Sequence, residues 1–318
     1  MAIPTPSSAQ EEDPVADGLD SSGEMLRDLR EGRYRTGLRV GSLSGPDAFG
    51  LIESVEAGDG GRFHVLDSRS HRLLMYGPDG ELLDEAGGEG QGPGELSSPE
   101  DLVVTDDGRV MVVDRTRRVE VFRRVGDSLR HERRFRILSA PWDACVIGDH
   151  LVVQTVRHAS RKVIDVYDFR GRRLRSFGEM SPGEALLDRE TFSWGNVACL
   201  SGGRIVYVPR SQNRVAAFTL TGDRLWQVEM PDYRPVTVME SSDEKPGRGY
   251  HWTSPDGTHS AVRVVALPDG DVVAVHLGLR DTTSTGSHDY QRRRALFYEA
   301  ETGELLWDTD EVPPFDGI

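Results

Sequence analysis

The residues best suited to chemistry are arginines set in short turns. They occur in "DSRSHR" (67–72), "DRTRR" (114–118), "RHASRK" (157–162), "RSQNR" (210–214) and a later "RRR" (292–294). Arg69, Arg115, Arg117, Arg157, Arg161 and Arg210 are the candidates for holding an anion, because a guanidinium fork matches a carboxylate or phosphate at two points. Arg72, Arg118 and Arg214, at the ends of these turns, read instead as partners of nearby strand-end aspartates. A Ser/His/Asp set can be drawn from His251, Ser254, Asp256 and His259. Nucleophilic catalysis needs a rigidly oriented base, however, and these four crowd one long loop. The stretch "GGEGQGPGEL" (87–96) invites a phosphate-cradle reading. It lacks G-x-G-x-x-G spacing and a P-loop lysine, and "SSPEDLVV" follows it as turn and strand where a helix N-terminus would be needed. Glycines that permit positive φ and a proline that fixes a turn suit a linker between two strands.

These residues are positioned by a repeat. "RLLMY" (72–76), "RVEVF" (118–122), "VIDVY" (163–167), "RVAAF" (214–218) and "RALFY" (294–298) each end on an aromatic residue. A β-branched run precedes each, a shorter apolar run stands ahead of that, and a turn with a further apolar run follows. The aromatic ends step by 46, 45, 51 and 80 residues, and four short strands per ~40–50 residues define a β-propeller blade. The expected fold is therefore all-β, with blades near 50–86, 99–135, 141–178, 194–230 and 261–309. The propeller domain is read as 34–318, after a disordered, loop-like acidic tail over 1–33. A blade is covered only when neighbours pack on both its faces, which explains near-continuous runs such as "DLVVTDDGRVMVV". Helical periodicity is confined to a turn or two in "GEMLRDLREG" (23–32) and "PGEALLDRE" (182–190). The long final step holds two extra loops, 240–260 and 279–290, and long loops at one face are a usual place for function.

"HVLDSRSHRLLMYGPDGELLDEAGGEGQGPGELSSPEDLVVTDDGRVMVVDRTRRVEVF" resembles two successive NHL-type repeats of bacterial six-bladed β-propellers. Asp67 and Asp114 end second strands, Arg72 and Arg118 start third strands, and Gly92 to Glu95 make the linker into the next blade. The resemblance implies six blades, whereas five are countable. We expect an incomplete sixth, with "YRTGLRVG" (34–41) as a closing outer strand. On this fold the arginine turns share one face, as do Trp142, Trp194 and Trp252. Aligning the second strands puts Asp101, Trp142 and Asn196 in register, with Asp143 and Trp194 next to them, all near the central axis. Gluconolactonase-like propellers hold a divalent metal there, so calcium or another divalent ion at Asp101, Asp143 and Asn196 is the alternative to a protein without cofactors. Trp226 and Trp307, on outer strands, resemble the tryptophan-docking repeats of quinoprotein-type propellers.

A net charge of −15 over 318 residues opposes nucleic-acid or anionic-membrane binding by the whole surface, leaving room for local basic patches. No apolar run approaches ~18 residues, so no helical membrane span is expected. Cys145 and Cys199 fall at equivalent places in neighbouring blades. Packed sheets stand ~10 Å apart while a disulfide needs Cα atoms ~5.5–6 Å apart, so both are expected as unpaired buried thiols. Ser7 and Ala9 fit the small-x-small pattern of a signal-peptidase site, which suggests an exported chain with its mature end near Gln10. The leading expectation is a monomeric, non-catalytic, extracytoplasmic module that binds a protein, peptide or small anionic ligand. The runner-up is a metal-dependent hydrolase or lyase with its site on the axis.

Overall fold

Five four-stranded antiparallel sheets follow one another along the chain, each in the order first, second, third, fourth strand. The computed structural model describes residues 22–33, 37–42, 48–157, 159–181, 192–235, 237–240, 250–253, 258–267, 270–280 and 290–310. Blade 1 comprises β1 (Ile52–Ala57), β2 (Phe63–Asp67), β3 (Arg72–Tyr76) and β4 (Leu82–Gly87). Blade 2 comprises β5 (Pro99–Val104), β6 (Arg109–Asp114), β7 (Arg118–Val125) and β8 (Ser128–Arg136). Blade 3 runs through β9 (Pro141–Ile147), β10 (His150–Arg157), β11 (Lys162–Asp168) and β12 (Arg173–Glu179). Blade 4 has β13 (Gly195–Leu200), β14 (Arg204–Pro209), β15 (Val215–Thr219) and β16 (Arg224–Val228). A two-stranded hairpin, β17 (Thr237–Glu240) and β18 (Tyr250–Thr253), precedes blade 5. That blade is β19 (His259–Ala266), β20 (Val272–Arg280), β21 (Tyr290–Glu299) and β22 (Leu305–Thr309).

The first strands pack in sequence, β1 against β5, β5 against β9, β9 against β13 and β13 against β19, so they surround a common axis. The core is a set of layers between blades. Val110 and Val112 of β6 pack toward blade 1, while Met111 and Val113 pack toward blade 3. In β14, Ile205 and Tyr207 face blade 3, and Val206 and Val208 face blade 5. Strands buried on both faces cannot alternate with polar residues, which is why their sequences are almost wholly apolar.

The glycine-rich linker is structural. Gly94 N–H donates to Glu120 Oε2 at 3.2 Å, and Leu96 is fully buried between blades 1 and 2. Gly87 has φ of 105°, and a Cβ there would lie 2.5 Å from the His71 carbonyl oxygen. Asp67 and Asp114 bind the start of each blade to its second strand. Asp67 accepts from Gly50 N and Leu51 N, and Asp114 from Ser97 N and Ser98 N. Arg72 and Arg118 pair with these aspartates at 3.0 and 3.6 Å. Arg214 does not repeat the pattern, because Pro209 stands where the aspartate would be; its guanidinium lies 5.8 Å from the Tyr207 ring centre.

Three findings differ from the expectations. First, Cys145 and Cys199 form a disulfide, with Cα atoms 5.6 Å apart. The ~10 Å spacing applies to sheet faces away from the axis, whereas β9 and β13 converge beside it. Second, Ser22–Arg30, inside the acidic stretch read as loop-like, is helix α1. Its Met25, Leu26 and Leu29 pack on Phe297 and Trp307 of blade 5. Third, the five countable blades are present, but residues 37–41 form no closing outer strand of a sixth. Residues 37–40 cover blade 1 without joining a sheet: Leu38 and Val40 lie against Gly80, and Val40 joins Val65, Leu74 and Tyr76. In blades 3 to 5 the equivalent turn glycine meets the preceding blade's outer strand, Gly171 against Phe135, Gly222 against Phe177 and Gly303 against Trp226. The N-terminal segment thus occupies both faces that a sixth blade would cover. Trp226 also donates its indole N–H to Ala300 O at 3.0 Å, a blade-to-blade dock of the expected kind.

Candidate functional site

Two rings of residues line the entry to the axis. Register places Ser54, Asp101, Asp143, Asn196 and Ala261 at equivalent positions, opposite Leu66, Val113, Gln154, Val208 and Leu277. One residue earlier stand Glu53, Glu100, Trp142, Gly195 and Ser260. In blades 1 to 3 this earlier residue is the extra one of a β-bulge, between Ile52 and Ser54, Pro99 and Asp101, and Pro141 and Asp143. A bulge re-aims a side chain that regular pairing would place against a neighbouring sheet. Glu53, Glu100 and Trp142 are therefore turned to the mouth by the same local device in three consecutive blades.

At this mouth the Trp142 and Trp194 rings stack, with centroids 5.0 Å apart and planes 8° apart. The guanidinium carbons of Arg115 and Arg210 lie 5.2 and 5.6 Å from the Trp142 ring centre, within cation–π range. Arg115 binds Glu100 through two contacts, 2.7 and 3.2 Å. Arg210 donates from Nε to Ser260 Oγ at 3.2 Å and forms no ion pair among the described residues. The structure thus brings together Arg115, Arg210, Trp142 and Trp194 from the sequence candidates. Arg69, Arg117 and Arg161 are exposed in turns on the same face, with no ion pair among the described residues. Arg157 is drawn into its own blade by Asp165 at 3.6 Å. Arg294 pairs with Asp308 on the outer strand. Trp252 lies on β18 opposite Val238, and its side chain is outside the described residues, as are Arg292, Arg293, Ser254 and Asp256. His259 accepts from Arg234 N–H at 2.9 Å and stacks on Tyr233, so it is engaged as a neutral ring.

Below the mouth, polar side chains tie each blade to the next. Ala144 N–H donates to Asp101 Oδ2 at 2.9 Å, and Val197 N–H to Asp143 Oδ2 at 2.7 Å. Asn196 donates to Ala261 O at 3.2 Å. Arg263 closes the circle onto Glu56 of blade 1 at 3.3 Å. In blade 1 the equivalent residue is Ser54, fully buried, and its short hydroxyl has no hydrogen-bond partner among the described residues.

The electrostatics of this column follow from crowded acids. Burial, then the neighbouring Asp101 charge and a hydrogen bond that the Asp143 carboxyl donates to it, push Asp143 well above the usual carboxylate range. Burial followed by Asp101 raises Glu56 to about 7. Burial also raises Glu100 to about 7, against the pull of Arg115. For Arg263, burial opposes the charge, but Asp101, Asp143, Glu56 and Glu53 together more than offset it. Arg263 is thus a built-in counter-ion at the centre of the propeller.

Asp101, Asp143 and Asn196 do not suit a divalent ion. Each already engages the backbone of the next blade, the two carboxyls share a hydrogen bond, and a guanidinium stands among them. Sequence reading missed Glu53, Glu56, Glu100 and Arg263. The signal for Arg263 was a lone cation in the apolar run "AVRVVA". The bulges that aim Glu53, Glu100 and Trp142 leave no mark in composition.

Fold and register together define a β-propeller with a charged, tryptophan-lined axial mouth. The sequence matches no protein-family model and no curated protein sequence. Solved structures share the fold. A member of the DUF4221 family from Bacteroides vulgatus aligns with a TM-score of 0.57 at 8% identity, over 83% of each chain. Kuenenia stuttgartiensis hydrazine synthase aligns at 0.50 and 14% identity, over 84% of this chain and 66% of that one. Virginiamycin B lyase from Staphylococcus aureus gives 0.49 at 11% identity, over 78% of both. At these identities the first two likenesses establish architecture alone, and the third, with a TM-score under 0.5, carries no argument.

Proposed function

We propose that this chain is a non-catalytic propeller module that binds an anionic ligand at the axial mouth and works outside the cytoplasm. The observation that carries the reading is Arg210, held in place by Ser260 and Trp142 while its terminal amino groups have no carboxylate partner among the described residues. A fixed guanidinium beside an aromatic wall is the chemistry that takes a carboxylate on a flat or cyclic body. The extracytoplasmic setting is supported by the disulfide, which uses both cysteines of the chain and belongs to an oxidising compartment. The metal-dependent alternative at Asp101, Asp143 and Asn196 is less favoured, because those donors are engaged between blades.

The test is calorimetric titration with citrate, benzoate and inorganic phosphate against wild type and Arg210→Ala. Binding of at least one carboxylate, weakened tenfold or more in the variant, supports the reading. Failure of all three to bind, or equal binding by the variant, overturns it.

A further inference from the structure

The positive charge of this acidic protein is concentrated on one sector of its rim. Residues 109–175 hold 17 of the 38 Lys and Arg but only 8 of the 53 Asp and Glu. That stretch carries +9 and the remainder −24, so blades 2 and 3 form a cationic sector on an anionic molecule. The outer strand β8 reads "SLRHERRFR", with four arginines, and β12 adds Arg173 and Arg175. The two strands belong to one surface, because the Arg170–Arg172 turn of blade 3 rests on β8 through Gly171 against Phe135.

Part of this charge is neutralised locally. Arg123 pairs with Glu132, Arg134 with Glu120, and Arg172 with Asp168. Arg130, Arg136, Arg170 and Arg175 are exposed and have no ion pair among the described residues; Arg175 gives one hydrogen bond to Leu220 O. Two arginine pairs are directly opposed across the β7–β8 ladder, Arg123 with Arg130 and Arg118 with Arg136. Like charges in that position destabilise a sheet. Protection of an exposed edge from aggregation does not explain them, since all five outer strands face the same hazard. β4 ("LLDEAG") and β22 ("LLWDT") meet it with acids and β16 ("RLWQV") with a single arginine.

We propose that the rim of blades 2 and 3 docks an extended, carboxylated polysaccharide, with Arg130, Arg136, Arg170 and Arg175 as its contacts. Arg130 and Arg136 are separated along β8 by ~20 Å, and the bulge at Glu132 turns them to opposite faces of this outer strand, so a chain running along its free edge meets both over the reach of several sugar units. Guanidinium forks match carboxylates spaced along such a polymer. The rim lacks what other polyanions require. The aromatic side chains of the two outer strands, Phe135 and Phe177, are buried, which removes the stacking platform of a single-stranded nucleic-acid site. Its exposed apolar residues, Val125 at the end of β7 and Leu138 in the link from β8 to β9, stand apart, so no apolar face is presented for insertion into a bilayer. This surface is independent of the axial mouth, and so is its test.

Binding of polygalacturonate to the full chain is measured at 50 and 300 mM NaCl, for wild type, for the exposed-arginine variant R130A/R136A/R170A/R175A, and for Arg210→Ala. An oligothymidylate and phosphatidylglycerol vesicles serve as the other polyanions. The expected result is binding to polygalacturonate that weakens steeply with salt, falls tenfold or more in the quadruple variant and is unchanged by Arg210→Ala. No binding at 50 mM NaCl, or equal binding by a quadruple variant with a wild-type circular-dichroism spectrum, overturns the proposal. Tighter binding to the oligonucleotide or the vesicles also overturns it, by assigning the sector to another class of partner.

Discussion

Glu100 is a carboxylate whose burial and whose partner act in opposite directions. Burial prevails, raising the group to about 7 even though Arg115 is 2.7 Å away. An acid held higher in the folded state than in the unfolded one contributes stability below its unfolded value near 4.5. That contribution is lost as pH rises through about 7. Glu100→Gln should therefore leave stability at pH 5 nearly unchanged and raise it by about 1–2 kcal/mol at pH 8, after allowance for solvent screening. Urea unfolding at the two pH values checks this, and equal effects at both would contradict it. Glu56, raised by the same cause, should keep part of the slope in the variant. The neighbouring Asp101 shows what sequence can reach at this scale. Aligning second strands puts Trp142 in register with Asp101 and Asn196, whereas the ladder puts Asp143 there, because the bulge in β9 makes Trp142 the extra residue. The inclusion of Glu100 depended on a bulge, a backbone feature set by ladder geometry rather than residue type.

Among elements, the innermost strands behave differently from the sheets they begin. β9 and β13 approach closely enough for Cys145 and Cys199 to bond, because blades splay outward from the axis and converge at it. The pair closes a loop of 54 residues, for which chain-entropy arguments give roughly 4 kcal/mol. The Cys145→Ala/Cys199→Ala variant should lose about 2–4 kcal/mol in urea unfolding, and native mass without reductant should be two hydrogens below the free-thiol value. The repeat, the strand boundaries and the linker character of residues 87–96 were legible because apolar runs and Gly/Asp turns report them directly. Wedge geometry was not, since no single strand encodes its distance from the axis.

For the whole molecule, ring closure is the distinctive property. Among the described residues no blade stands between blades 1 and 5, and the N-terminal segment fills that place with α1 on one side and residues 37–40 on the other. Leu26 is 7% exposed against Leu267, Val272 and Phe297. Leu26→Ala should cost about 2–4 kcal/mol. Hydrogen exchange should rise first in β21 and β22, whereas a closure independent of α1 would leave their protection intact. Five blades could be counted from the aromatic spacing. The covering role of the N-terminal segment could not, because "GEMLRDLREG" offers only nine helical residues and its apolar face finds its complement in the last blade.

That arrangement has a consequence for timing. Arg30 bonds the Leu306 carbonyl across 276 residues, and Arg263 reaches Glu56 across 207. Contacts of such separation form late, after the loop they close has been assembled. During synthesis α1 is made before all five blades and docks on the last of them. Until blade 5 emerges, Met25, Leu26 and Leu29 lack the surface they cover, and the growing chain carries an uncovered apolar face while blades 1 to 4 are made.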